Sequence, residues 1–135
     1  MRDNSSPLRV LVVDRCKDNR DSLAFLLTLW GHAVRLAHDG PSALAESQAF
    51  RPHVVLIEIR LAAGMDGWDV GRRLREQQGS HRPLLVALTG FGQEQDRARS
   101  RAAGLDAHLT KPVDPRELRQ LLATAADALS PVGAV

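Results

Sequence analysis

A chain of 135 residues, 44% of them hydrophobic and 25% charged, has room for one domain with a sizeable core and none for a second. It lacks an apolar run near the roughly 20 residues that cross a bilayer, and the start MRDNSSP lacks the apolar stretch of an export signal, so a cytoplasmic chain with no membrane role is expected. Its one cysteine, Cys16, excludes an internal disulfide or a cysteine-built metal cluster; its net charge of +2, from 16 scattered arginines and 2 lysines, is only a weak hint of an anionic partner, and with no recognition helix, basic stripe or aromatic ladder direct nucleic-acid binding is not expected.

After a polar leader over 1–7, LRVLVV (8–13) predicts the first strand. SLAFLLTLWG (22–31) predicts a helix, since Leu23, Leu26, Leu27 and Trp30 recur at spacings of three and four and Gly31 closes the run. AVRLA (33–37) is the second strand. Pro41 suits the first turn of a helix reaching about Phe50, where its missing amide would have no intrahelical partner. VVLIEI (54–59) is the third strand, followed by a helix from about Trp68 to Gln78 with Val70 and Leu74 inward. PLLVALT (83–89) is the fourth strand, and QEQDRARSRAAG (93–104) a polar helix whose thin inward face is Ala98, Ala102 and Ala103. DAHLT (106–110) is the fifth strand. Asp114, Pro115 and Glu117 then compose a helix start, as cap, first helical residue and an acid placed to return a bond to the cap's amide. Leu118, Leu121, Leu122 and Ala125 line one face of that helix, Leu129 lies near its end, and PVGAV (131–135) is a tail to a domain over 8–130.

Short apolar strands alternating with helices predict an α/β domain, a doubly wound parallel sheet of five strands with helices on both faces. Strands two and five, shorter and more polar, belong at the edges. Periodicity leaves the strand order open between two common choices, of which 2-1-3-4-5 is the one taken.

In such a sheet, chemistry gathers where the strands end, beside the switch point. Asp14 after strand one, Glu58 on strand three, Thr89 at the end of strand four and Lys111 after strand five all fall there. Singly, each has a plain reading as a loop acid, a strand-end hydroxyl or a surface cation. Jointly they have the form of a site.

These segments resemble response-regulator receiver domains, the CheY-like phosphoacceptor modules of two-component signalling, over almost the full length. The resemblance rests on VVD with Asp14, HDGPSAL before helix two, RPHVVLIEI, GMDG at 64–67, ALTG with Thr89, and HLTKP with Lys111 and Pro112. It implies a flavodoxin-like fold and a non-enzymatic signalling role. It also implies a partner such as a histidine kinase or a downstream regulator, or self-association. In receivers an acidic pair after strand one and a strand-three aspartate hold Mg²⁺, the aspartate accepts a phosphoryl group, and a threonine and lysine contact its oxygens.

Thr89 and Lys111 match that pattern, and Asp14 keeps the first acidic position. Arg15 stands where a second acid is expected, Glu58 stands at the phosphoacceptor, and the loop RLAAGMDG has an alanine pair and one more residue than usual. Mg²⁺ demands near-octahedral oxygen ligands, and a guanidinium subtracts one. Glutamate reaches one methylene farther than aspartate, which spoils in-line transfer. Asp14, Arg15 and Glu58 thus read as a degenerate metal site, with no cofactor expected. The main expectation is a constitutive ion pair in which Arg15, through its fork, and Lys111 bond an anionic Glu58. Glu58 then either imitates the phosphorylated form by engaging Lys111 and Thr89, or is held away by Arg15.

The expected function is a phosphorylation-independent interaction module using the face of helix four, strand five and helix five, with Arg97, Arg99, Arg101 and His108. The alternative is weak but genuine phosphoacceptance that uses Mg²⁺. His108, where the resembling family places a switch aromatic, is read with Thr89 as a candidate switch residue or as a plain edge-strand side chain. The five histidines show no ligand spacing. Cys16 invites a thiol-sensor reading against that of an ordinary loop cysteine. Trp68 reads as packing or surface, and Gly64 and Gly67 as residues that relax a turn.

Overall fold

Three nearly unbroken apolar runs, Arg9–Val13 (β1), Val54–Glu58 (β3) and Leu84–Thr89 (β4), form the middle of a five-stranded parallel sheet. Ala33–Ala37 (β2) and Ala107–Thr110 (β5) are its edges, giving the order β2-β1-β3-β4-β5 expected from the sequence. The computed structural model describes residues 7–61, 64–77, 79–90 and 96–129. The expected tail over 131–135, and all of the leader but Pro7, lie outside them.

Alternate strand residues point to opposite faces, so each central strand feeds two cores. Leu11, Val13, Val55, Ile57, Leu85 and Ala87 pack on the side of Gly40–Phe50 (α2) and Gly67–Gln77 (α3), through Ala43, Val70 and Leu74. Val10, Val12, Leu56, Val86 and Leu88 pack on the side of Lys17–Leu29 (α1) and Pro115–Leu129 (α5), through Leu23, Leu27, Leu118 and Leu122. Burial on both faces explains why β1, β3 and β4 show no polar alternation.

α1 begins at Lys17, earlier than the expected Ser22. Its first turn is polar and solvated, held by a Lys17–Asp21 ion pair of 2.7 Å one turn apart, so no apolar periodicity marks it. α2 starts with a reciprocal box: Asp39 Oδ1 accepts the Ser42 N–H at 2.9 Å, and Ser42 Oγ accepts the Asp39 N–H at 3.2 Å. It ends on Arg51 at φ 50, whose carbonyl takes two bonds from the Arg9 guanidinium, at 2.9 and 2.7 Å.

At α5, Asp114 Oδ1 accepts the Arg116 N–H at 2.8 Å. The return bond expected of Glu117 is absent among the described residues, because that side chain is turned to solvent. In Asp96–Ala102 (α4), Ala98 and Ala102 are exposed, against expectation, while Ser100 and the following Ala103 are buried. The expected helix start at 93–95 lies outside the described residues. No helix among the described residues is long and apolar enough to cross a membrane.

Candidate functional site

The parallel register brings the carboxyl ends of β1, β3, β4 and β5 to one edge. Asp14 follows β1, Glu58 and Thr89 close β3 and β4, and Lys111 follows β5. Backbone bonds fix these ends: the Asp14 N–H donates to Ala37 O at 3.1 Å, and the Lys111 N–H to Thr89 O at 2.7 Å. The result is buried polar chemistry, with Asp14 0%, Thr89 7% and Glu58 9% exposed.

Three of the four side chains meet. Glu58 Oε2 accepts from Lys111 Nζ at 3.2 Å, and Asp14 Oδ2 lies 2.9 Å from the same ammonium. The Asp14 contact is close but poorly aligned, so it is a charge contact and the buried Oδ2 has no directed hydrogen bond. Asp14 Oδ1 accepts the Cys16 N–H at 2.9 Å, and Glu58 Oε1 accepts the Arg15 N–H at 3.0 Å.

This corrects the expected role of Arg15. Its backbone amide holds Glu58, while its side chain is exposed and makes no ion pair among the described residues. A guanidinium at the rim remains hydrated there, and the buried oxygen is reached by the main chain instead. The Thr89 hydroxyl makes no hydrogen bond to the Glu58 or Lys111 side chain among the described residues, so the imitation of a phosphorylated site that required both partners reaches only the lysine.

Electrostatics separates the two acids. Burial pushes the Glu58 carboxyl above its ordinary range, the adjacent Asp14 carboxylate adds to this, and the Arg15 N–H and Lys111 oppose it. Asp14 moves down despite its burial, because Glu58, the Cys16 N–H and Lys111 all favour its ionised form. Glu58, expected as a plain anion, is thus the member of the pair that keeps a proton more tightly. Lys111 is held above its ordinary value, since the two acids outweigh its burial.

Other candidates sit elsewhere. His108 is half-buried on β5, in register with Ala87. Arg97 and Arg101 are exposed on α4, and the Arg99 guanidinium lies over the Trp68 ring at 3.8 Å from its centroid. Trp68 is a packing residue, buried, with its Nε1–H donating to the buried Ser100 Oγ at 2.9 Å. Cys16 is exposed at the α1 cap position.

Sequence reasoning missed Arg20, whose Nη1 donates to the Asp14 carbonyl at 2.8 Å, and Ser100. Neither carries a local motif. It also misread Gly67: a Cβ there would lie 2.6 Å from Glu58 O and from Ile59 Cα, so the glycine permits close approach to the strand end rather than relaxing a turn. Gly64, at φ +100, does take a left-handed turn conformation.

The response regulator receiver domain family matches residues 10–123. The chain is 34% identical over 113 residues to a 14.6 kDa protein of Leptolyngbya boryana, covering 84% of this chain and 86% of that one. It is 37% identical over 111 residues to the response regulator MprA of Mycobacterium avium, covering 82% of this chain and 47% of that regulator. For the response regulator PleD of Caulobacter vibrioides the identity is 34%, covering 78% of this chain and 23% of PleD. The chain therefore spans under half the length of these two regulators. Among solved structures it superposes on NtrX from Brucella abortus with TM-score 0.82 and 27% identity, covering 91% of this chain and 27% of that one. A putative response regulator from Chloroflexus aurantiacus gives TM-score 0.82 at 26% identity, covering 90% and 98%.

The chain belongs to the response regulator receiver domain family. Such domains are signalling modules of two-component systems, not enzymes.

The Mg²⁺ that the family implies does not fit the groups present. Two carboxylates remain, Lys111 Nζ stands within 3.2 Å of both, and no cluster of three His, Cys, Asp or Glu able to hold a metal occurs among the described residues. An ion that prefers near-octahedral oxygens at about 2.1 Å would have to displace that ammonium first.

Proposed function

We propose that this chain is an atypical receiver that works without phosphorylation, as a protein-interaction module in two-component signalling. The observation that carries this reading is that both oxygens of Glu58 are engaged, Oε1 by the Arg15 N–H and Oε2 by Lys111. A carboxylate whose two oxygens are both held by N–H donors is a weakened nucleophile, and its extra methylene displaces it from the position that in-line transfer requires. Signalling then rests on a preformed surface. On this reading the face of α4, β5 and α5, which carries Arg97, Arg99, Arg101 and His108, meets a partner with acidic residues. The partner classes are a histidine kinase, a downstream regulator or a second copy of the chain.

The test is intact-mass measurement after incubation with acetyl phosphate and Mg²⁺, beside the Arg15→Asp/Glu58→Asp variant. The native chain is expected to remain unmodified. A native mass gain of one phosphoryl group would establish slow phosphoacceptance at Glu58 instead.

A further inference from the structure

At the edge where the strands begin, opposite the acidic site, α2 and α3 end beside the loop that enters β4 and leave a cavity of about 220 Å³ between them. Leu74 and Pro83, both buried, give it an apolar wall, and Ser47, Gln48, Arg51 and Gln77 bring a hydroxyl, two carboxamides and a guanidinium to it. Its lining contains no acid. None of those four polar side chains makes a hydrogen bond or ion pair among the described residues, so their donors are available to a ligand. Helix C-termini repel anions through their unpaired carbonyls, but at α2 the carbonyls are covered. Ser47 O accepts the Arg51 N–H at 2.9 Å, the Arg9 guanidinium donates to Phe50 O at 3.1 Å and to Arg51 O at 2.9 and 2.7 Å, and His81 Nε2–H donates to Pro52 O at 2.7 Å. Burial holds the pKa of the neighbouring His53 down, and the charged groups that face it, Arg9 and His81, hold it down further, as a locally positive field does. Arg51 itself takes φ 50 and ψ 64 at the C-cap of α2, a left-handed conformation that glycine ordinarily fills. A backbone outlier of this kind points to a use for its side chain, and this side chain carries the fixed charge of the cavity.

We propose that this cavity is an oxyanion-binding site, in which the Arg51 fork grips a phosphate or a carboxylate and Ser47, Gln48 and Gln77 donate to its remaining oxygens. A guanidinium presents parallel N–H donors matched to two oxygens of one anion, and the neutral donors add direction without adding charge. The volume is below the roughly 300 Å³ at which sites for drug-sized ligands begin, so the occupant is a small anion or the anionic tip of a larger molecule. Leu74 and Pro83 exclude water from one side and strengthen the pairing with Arg51. The site lies at the far ends of the strands from Asp14 and Glu58 and works without phosphorylation or metal.

Sodium phosphate, sodium acetate and, at matched ionic strength, sodium chloride would be titrated into the isotope-labelled full chain while backbone amides are followed, with Arg51→Gly alongside. Phosphate or acetate is expected to produce saturable shifts at Ser47, Gln48, Arg51, Gln77 and His81 that chloride does not, and the anion that saturates at the lower concentration identifies the ligand's chemistry. Arg51→Gly is expected to fold, since glycine suits the left-handed backbone, and to bind roughly tenfold more weakly through loss of the charged donors. Should Arg51→Gly not fold, Arg51→Asn, which also tolerates this conformation, is judged by the same loss. An absence of saturable shifts, an equal response to chloride, or shifts centred on Asp14, Glu58 and Lys111 instead would overturn the proposal. Undiminished binding by the Arg51 variant would overturn it as well.

Discussion

Trp68 donates its indole N–H to the Ser100 hydroxyl at 2.9 Å, both residues being under 10% exposed, and this bond ties α3 to α4. With the Arg99 guanidinium stacked on the same ring, α4 is held from two directions. Ser100→Ala leaves a buried donor unpaired and is expected to cost about 1–3 kcal/mol in urea denaturation. Trp68→Phe/Ser100→Ala removes both partners and is expected to cost less than the two single losses added. Strict additivity would show that the bond does not hold the helices together.

Gly67→Ala tests how closely the loop before α3 packs on the strand end. The new methyl would meet backbone at 2.6 Å on two atoms, which no rotamer change relieves. The expected cost is roughly 1–3 kcal/mol, with amide shifts at Glu58 and Ile59. A variant as stable as the native chain, with those amides unmoved, would contradict the placement of this loop.

Most of the sheet was legible because strands buried on both faces are written as unbroken Val, Leu and Ile, and the strand-end positions of Asp14, Glu58, Thr89 and Lys111 follow from that alone. What was not legible depended on solvated or main-chain groups. The first turn of α1 buries nothing, so Lys17 to Asp21 left no pattern. Arg15 acts through its amide, which every residue other than proline possesses, and the side chain drew attention to the wrong group. Ser100 looked like a surface residue of a polar helix because its partner, Trp68, is 32 positions away.

The raised Glu58 carboxyl makes a signed prediction. Because the folded chain keeps this proton above the ordinary value of 4.5, Glu58 contributes stability that is complete below 4.5 and lost as pH rises through the folded pKa. Glu58→Gln resembles the protonated form and lacks that loss. The variant is expected to match the native chain in acid and to exceed its melting temperature near neutral pH. A gap that widens toward acid would reverse the sign and refute the assignment.

His53 has the opposite slope. Its Nδ1 accepts the Arg9 N–H at 2.9 Å, and burial, with Arg9 and His81 nearby, lowers it from 6.5. Its stabilising contribution is full above 6.5 and is lost as pH falls through the lowered folded value. Melting of Glu58→Gln, in which the Glu58 acid is gone, is expected to decline as pH falls from 6.5 toward the lowered folded value, and the His53 ring protons are expected to titrate below 6.5 by NMR. Titration above 6.5 would contradict the hydrogen bond to Arg9.

The central claim, that two side chains removed the phosphoryl switch from an intact receiver, is tested most directly by titrating Mg²⁺ and beryllofluoride into isotope-labelled protein. Backbone amides at Asp14, Glu58, Thr89 and Lys111 would be followed in the native chain and in Arg15→Asp/Glu58→Asp. The account predicts no response from the native chain and a saturable one from the variant. Saturable shifts in the native chain at millimolar Mg²⁺ would contradict it.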